Sequence, residues 1–175
     1  MSMVGREYPS EMSPYKDPKT GREIVKLTNQ FLNKHLYFTE NSFTIGDDEI
    51  YFLSSRPYEG KKLNYFKMNL NSGIMTQITD LEDGVKGGHT KTPDSEYLVF
   101  VSGQKVYKVN TRTGVLDLIY EGPEGYSVGS VTISPDKKYV CVARNEVRDF
   151  VSDGPNYDGF KEGMFYTKNS YVTLI

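Results

Sequence analysis

With 175 residues, 37% hydrophobic content and charges that balance to a formal net charge of −2, the chain has the composition of one globular domain. No run approaches the roughly 18 apolar residues of a membrane helix, and the balanced charge offers no basic face for nucleic acid. A single cysteine, Cys141, excludes an internal disulfide. With no apolar core in Met1–Glu11 to act as a secretory signal, it points to a reducing, cytoplasmic setting.

Residues 1–16 are polar, carry two prolines and show no period, which predicts a loose N-terminal arm ahead of one domain over 17–175. Glu23-Ile24-Val25-Lys26-Leu27 follows Thr20-Gly21 and reads as an isolated strand, of the kind that completes the outer edge of a last sheet. Strands are then expected near 36–44, 49–55, 63–69 and 74–79, and again near 86–92, 97–102, 105–110 and 115–120. A third set lies near 127–134 and 139–145, with a last strand near 170–175 beyond a Gly-, Asp- and Asn-rich excursion over 149–163. Within it, Asp153–Gly163 fits either a lid or a plain connection. No long amphipathic helix is predicted.

A repeat orders these strands. Gly46-Asp47-Asp48-Glu49 opens the apolar run Ile50-Tyr51-Phe52, Pro93-Asp94-Ser95-Glu96 opens Tyr97–Phe100, and Pro135-Asp136-Lys137-Lys138 opens Tyr139–Val142. The step from Thr44 to Thr92 is 48 residues and from Thr92 to Ser134 it is 42. A second set of turns, Thr20-Gly21, Ser72-Gly73 and Thr113-Gly114, interleaves with the first. Self-similarity at roughly 40–50 residues, all in strands, marks the four-stranded antiparallel blades of a β-propeller. Proline presets φ and aspartate bonds its own backbone at the first turns, and glycine takes φ > 0 at the second. Tyr51 and Leu53 alternate with Ile50 and Phe52, apolar on both sides as stacked blades require. The fold class is therefore all-β: an incomplete ring of about three blades, whose uncovered faces and edges invite self-association.

Ligands meet a propeller where innermost strands begin and where second and third strands connect. That places His35, Tyr37 and Arg56 on the first blade as candidate substrate-binding residues, Lys86 and His89 on the second, and Tyr126 and Arg148 on the third. Arginine and lysine suit sugar carboxylates, arginine through a bidentate fork. Two histidines on different blades do not make a metal site.

The stretch His35-Leu36-Tyr37-Phe38-Thr39-Glu40-Asn41-Ser42-Phe43-Thr44, followed by Leu63-Asn64-Tyr65-Phe66-Lys67-Met68-Asn69-Leu70 and Gln77-Ile78-Thr79, resembles oligogalacturonate lyase. The likeness continues through Gly87-Gly88, Lys108-Val109-Asn110 and Val147-Arg148-Asp149. It covers nearly all of residues 17–175, but only the amino-terminal half of that family's seven-bladed propeller. The resemblance implies a cytoplasmic enzyme of pectin degradation that splits unsaturated digalacturonate by β-elimination. Such a reaction removes a proton α to a uronate carboxylate, so it needs an offsetting cation and a positioned base. In the family the manganese ligands and the catalytic histidine and arginine lie in the carboxy-terminal blades, and those motifs have no counterpart here. No catalytic or metal residue is assigned, manganese is implied only for the full-length family, and this chain alone is expected to be inactive. The implied partner is an oligogalacturonide. The alternative is a non-catalytic propeller module holding a protein partner or a sugar acid. A peptidase-type propeller would require an α/β-hydrolase domain with a Gly-x-Ser-x-Gly turn.

Overall fold

The computed structural model describes residues 2–56, 58, 62–86, 88–147 and 169–175, and among them every regular element is a β-strand. No helix among these residues is long and apolar enough to cross a membrane. Three antiparallel sheets follow one another along the chain. Sheet one comprises β4 (Asn33–His35), β5 (Glu49–Ser54), β6 (Asn64–Asn69) and β7 (Met75–Gln77), with β1 (Glu7–Tyr8) added on the β7 edge. Sheet two is the meander β8 (His89–Lys91), β9 (Tyr97–Ser102), β10 (Lys105–Asn110) and β11 (Leu116–Glu121). Sheet three holds β12 (Tyr126–Ile133), β13 (Val140–Glu146) and β14 (Ser170–Leu174). A separate hairpin joins β2 (Ser13–Lys16) to β3 (Glu23–Lys26).

One hydroxyl builds the first turn of every sheet. Thr44, Thr92 and Ser134 each donate the backbone N–H to the residue five positions on, at 3.0, 3.0 and 2.9 Å. Their side-chain oxygens accept the N–H of those same residues, Glu49, Tyr97 and Tyr139, at 3.2, 3.0 and 3.0 Å. Between them Asp47, Ser95 and Lys137 take the left-handed conformation, with φ of 57°, 61° and 62°. That conformation is unfavourable for non-glycine residues, and the doubled hydrogen bond holds it in place. A second device repeats with Asx oxygens: Asn69, Asn110 and Asp17 each accept two backbone N–H groups before Gly73, Gly114 and Gly21 reverse the chain.

Packing follows from alternation on the second strands. Tyr51, Leu53 and Tyr65 of sheet one meet Leu98, Phe100 and Val109 of sheet two, with Tyr65 edge-on to Phe100 at 5.0 Å. The intervening Val99 and Val101 point the other way, onto Val128, Val131, Val140 and Val142 of sheet three. Each such side chain contributes roughly 1.5–3 kcal/mol by leaving water. The innermost strands of sheets two and three approach so closely that a Cβ on Gly88 would lie 2.9 Å from the Ser130 nitrogen. The remaining face of sheet one, with Ile50, Phe52, Phe66, Met68 and Met75, is covered by Tyr8, Met12 and Leu27.

That cover corrects the expectation of a loose arm. Residues 1–16 hold β1, paired to β7 through Glu7↔Thr76 and Tyr8↔Met75, and β2, which pairs with β3. The strand read as isolated over 23–27 is thus half of a hairpin. The first inner strand also differs from 36–44. It ends at His35 because the Leu36 N–H turns to the Ser42 hydroxyl and the Glu40 N–H to the Tyr37 carbonyl, and pairing resumes only at Phe43↔Ile50. Most other expected strands lie within two residues of the observed ones, although β8 begins three residues late. The excursion over 149–163 lies outside the described residues.

The hydroxyl turn gives a direct test. Thr92→Val keeps the volume at a buried position but leaves the partly buried Tyr97 N–H without its side-chain acceptor. It should lower unfolding stability by about 1–3 kcal/mol, read as a reduced urea midpoint at unchanged slope. A neutral result would show that the hydroxyl does not hold the turn.

Candidate functional site

The two ends of the sheets differ chemically. At one end lie the hydroxyl turns, stitched between sheets by the Tyr51 hydroxyl donating to the Ser95 carbonyl at 3.1 Å and by Lys137 reaching Asp94 and Glu96. The Lys137 ammonium, then the Thr92 hydroxyl, hold the Asp94 carboxyl down to about 2. The opposite end is where second strands give way to third strands. There lie all the buried side-chain polar atoms without a partner among the described residues: Asn64 Nδ2, Tyr65 OH, His89 Nδ1 and Arg144 Nε.

All four are hydrogen-bond donors. Asn64 is oriented by its oxygen, which accepts from the Thr79 hydroxyl and the Leu81 N–H, both at 2.9 Å, so its amino group is the unpaired part. Burial, reinforced by the charge of Glu40, pushes the Tyr65 hydroxyl well above its ordinary value, so it keeps its proton. His89 Nε2 accepts the Tyr37 N–H at 2.7 Å. Burial depresses the His89 pKa, against the opposing pull of Glu40, so the neutral ring carries its proton on Nδ1. Arginine has only donors.

The residues named from sequence are distributed differently from expectation. Tyr37 and His89 do meet, across the gap between sheets one and two, where Glu40 also binds the Thr90 hydroxyl at 2.8 Å and the Lys91 N–H at 3.2 Å. Tyr37 and Phe38 stand exposed, ring against ring at 4.3 Å. His35 belongs elsewhere. It is paired with Phe52, its Nδ1 contacts the Leu36 carbonyl, and it lines a cleft of about 190 Å³ with Leu27, Thr28, Asn33, Lys34, Ile50, Phe52 and Met68. Lys86 is exposed and pairs with Asp83 at 3.6 Å, a surface contact of little energetic weight. Tyr126 sits at the start of β12. Arg148 lies outside the described residues.

Arg56 is the clearest correction, because its guanidinium is not available to a ligand. It is 1% exposed, and it donates to Glu11 Oε2, Asn33 Oδ1 and Ser54 Oγ, each at 2.6 Å, and to the Gln30 carbonyl at 3.0 Å. Phe31 covers its face at 5.0 Å. Its role is to clamp the N-terminal segment onto sheet one. Burial alone would raise the Glu11 carboxyl, but Arg56 and the N–H groups of Asn29 and Gln30 outweigh it and bring the pKa below 4.5.

Sequence reading missed Arg144, which shares a face of β13 with buried Val140 and Val142 and sits directly opposite Tyr171 in register. The available signal was a charge at an inward position of an alternating strand. Sequence reading also took Gly-x-Ser-x-Gly to be absent, and this is a correction, because the pattern does occur at Gly125–Gly129. There Ser127 lies within strand β12 and donates to the Asn145 carbonyl at 3.3 Å, not at a strand-to-helix elbow. No three of the described His, Cys, Asp and Glu residues cluster as a metal site. With the two histidines on different sheets, each with one ring nitrogen against a backbone group, the described donor set does not fit manganese.

Two predictions follow from this geometry. In a ring-nitrogen NMR titration, His89 should stay neutral with its proton on Nδ1 until the pH falls below 6.5, and its charging should then oppose folding. A midpoint above 6.5 would contradict this. Glu11→Ala should cost about 3 kcal/mol by stranding the buried Arg56 charge. The unsubstituted chain should itself lose stability as pH falls from 4.5 through the lowered Glu11 pKa. An unchanged denaturation midpoint for the variant would remove Arg56 from its structural role.

Scanned against known protein families, the sequence matches none. A 63-residue stretch is 38% identical to the uncharacterized protein YidR of Escherichia coli, covering 31% of this chain and 15% of that protein. The fold is similar to an oligogalacturonate lyase in complex with manganese, at a TM-score of 0.79 and 22% identity over 99% of this chain and 49% of the lyase. It is also similar to an oligogalacturonate lyase from Vibrio parahaemolyticus, at a TM-score of 0.81 and 20% identity over 98% of this chain and 45% of the lyase. A more distant likeness, at a TM-score of 0.54 and 15% identity over 82% of this chain and 55% of that structure, is to a putative TolB from Agrobacterium tumefaciens. The chain spans about half the length of the two lyases it matches, and over that span it has their fold.

Proposed function

We propose that the three sheets are consecutive blades of an oligogalacturonate lyase-like β-propeller in a cytoplasmic protein. In this reading the end bearing the four unpaired donors faces an oligogalacturonide. The observation that carries it is that coincidence: four buried N–H and O–H groups without acceptors, at one end of the sheets and none at the other among the described residues. An unpaired buried donor costs about 1–3 kcal/mol, so an acceptor-rich ligand is the natural complement. A uronate oligosaccharide, dense in hydroxyl and carboxylate oxygens, supplies such acceptors. The likeness to oligogalacturonate lyases supports the same substrate class.

The reacting groups of a β-elimination belong, in this reading, to further blades of the ring. In this reading the chain supplies recognition, and the described residues hold no cluster of three His, Cys, Asp or Glu fit for a metal. Val172 and Leu174, 80% and 65% exposed on sheet three, suit burial against a following blade, whether from a longer polypeptide or another copy. The alternative of a non-catalytic module is favoured by the same donors if a sugar acid is bound without turnover.

The experiment is incubation with unsaturated digalacturonate and manganese, following the unsaturated-uronate absorbance. We expect binding without turnover for these 175 residues, and turnover when the following blades are present. Turnover by this chain alone would overturn the placement of the reacting groups. Failure to bind any oligogalacturonide would remove the substrate assignment.

A further inference from the structure

Phe38 is 78% exposed, and among the large apolar side chains described only Val172 is more open. The two exposures differ in kind. Val172 stands on a face of sheet three, which a neighbouring sheet can cover. Phe38 stands on the inner edge of sheet one, which a ring of blades turns to its central channel. There its turn interrupts the innermost strand, leaving β4 at His35 and rejoining β5 at Phe43. An exposed ring on a connecting segment ordinarily rides on mobile backbone, but this backbone is fixed to two sheets. Within sheet one the Glu40 N–H donates to the Tyr37 carbonyl at 2.8 Å and the Leu36 N–H to the Ser42 hydroxyl at 3.1 Å. Toward sheet two, the Tyr37 N–H donates to His89 Nε2 at 2.7 Å, and the Glu40 carboxylate accepts from the Thr90 hydroxyl and the Lys91 N–H. Tyr37 backs Phe38 ring to ring, with centroids 4.3 Å apart and planes tilted by 44°. Since Phe38 keeps its exposure beside that contact, most of its ring remains open.

We propose that the Phe38 ring is a platform on which a pyranose ring of the ligand stacks, with Tyr37 as its buttress. This deepens the proposed function and rests on it for the identity of the sugar as a uronate. A pyranose carries polarised C–H bonds on its faces and hydroxyls around its rim. An aromatic face, negative above its plane, covers the former and leaves the latter to polar partners. The axial hydroxyl of a galacto-configured ring leaves a continuous patch of C–H bonds on the opposite face. An unsaturated uronate end is flatter still, because its double bond is conjugated with the carboxylate. A phenyl ring also has few rotamers to lose, and the turn beneath this one is set before a ligand arrives, so little ordering opposes binding. In a ring of blades, the channel side of an innermost strand is where a ligand, and not another sheet, meets the protein.

The test is an NMR titration of the 175-residue chain with two probes, digalacturonate and its neutral dimethyl ester. Both should bring sugar C–H protons into contact with the Phe38 ring protons, because stacking does not need the charge. Phe38→Leu should weaken digalacturonate binding about tenfold at an unchanged urea midpoint, since the ring it replaces is exposed. Phe38→Trp should keep the affinity, and its emission should shift on adding sugar, the chain having no tryptophan of its own. Leucine keeps apolar bulk but not the flat face, so equal affinity in Phe38→Leu would overturn the proposal. Digalacturonate bound without contact to the Phe38 ring would overturn the platform while leaving the proposed function standing. Ring contacts with the ester but no binding of digalacturonate would keep the platform and defeat the uronate reading. No ring contact with either sugar would defeat the platform outright.

Discussion

The structure depends on sheets one and two burying both of their faces. The second strands of sheets one and two, β5 and β9, are apolar on both sides, so each can be satisfied only between two covering layers. Leu98 and Phe100 face sheet one while Val99 and Val101 face sheet three, and no polar face remains on that strand to meet water. Once this constraint is set, sheets must stack in sequence order, and the connections need only be short. The N-terminal segment answers the same demand on sheet one, where Tyr8, Met12 and Leu27 lie on Phe52, Phe66, Met68 and Met75. A buried ion pair, Glu11 with Arg56, fixes that cover in place.

The stack divides its chemistry between its two ends. At the turn end, hydroxyl and Asx oxygens meet backbone donors repeatedly, and the same bond pattern recurs at Thr44, Thr92 and Ser134. The other end holds histidine, tyrosine, asparagine and arginine donor atoms with no partner among the described residues. Satisfied polar groups gather at one end, and the buried donors unpaired among the described residues gather at the other. Such a division lets one scaffold keep its turns while its opposite rim varies.

Much of the fold was legible because its signals are local. Pro-Asp turns, Asx-x-x-Thr/Ser-Gly turns and two-residue alternation act within a few positions, so strands β5, β6, β9, β10 and β13 fall within one or two residues of expectation. The repeated hydroxyl was visible as a spacing, and the structure adds its hydrogen bonds. What escaped was non-local. Nothing near Glu11 announces that it will meet a residue 45 positions away, so Arg56 read as a rim cation and the first residues as loose. The reading of the repeats as blades located that end of the sheets in general terms, and the meeting of Tyr37 with His89 lies there. Arg144 was overlooked because an arginine inside a strand resembles a solvated charge until its neighbours Tyr126 and Tyr171 are placed.

The hairpin of β2 and β3 carries one more implication. Its turn, from Asp17 to Gly21, has the same bonding as the turns from Asn69 to Gly73 and from Asn110 to Gly114, which join third to fourth strands. By that kinship it is the outer portion of a sheet with no inner portion of its own among the described residues. The free flank of β2 therefore presents backbone donors and acceptors as a template on which another strand can dock. Pro14 withholds one donor from that strand, and Lys16 adds a charge near its tip. Both features discourage indiscriminate pairing while leaving room for a strand of matching register.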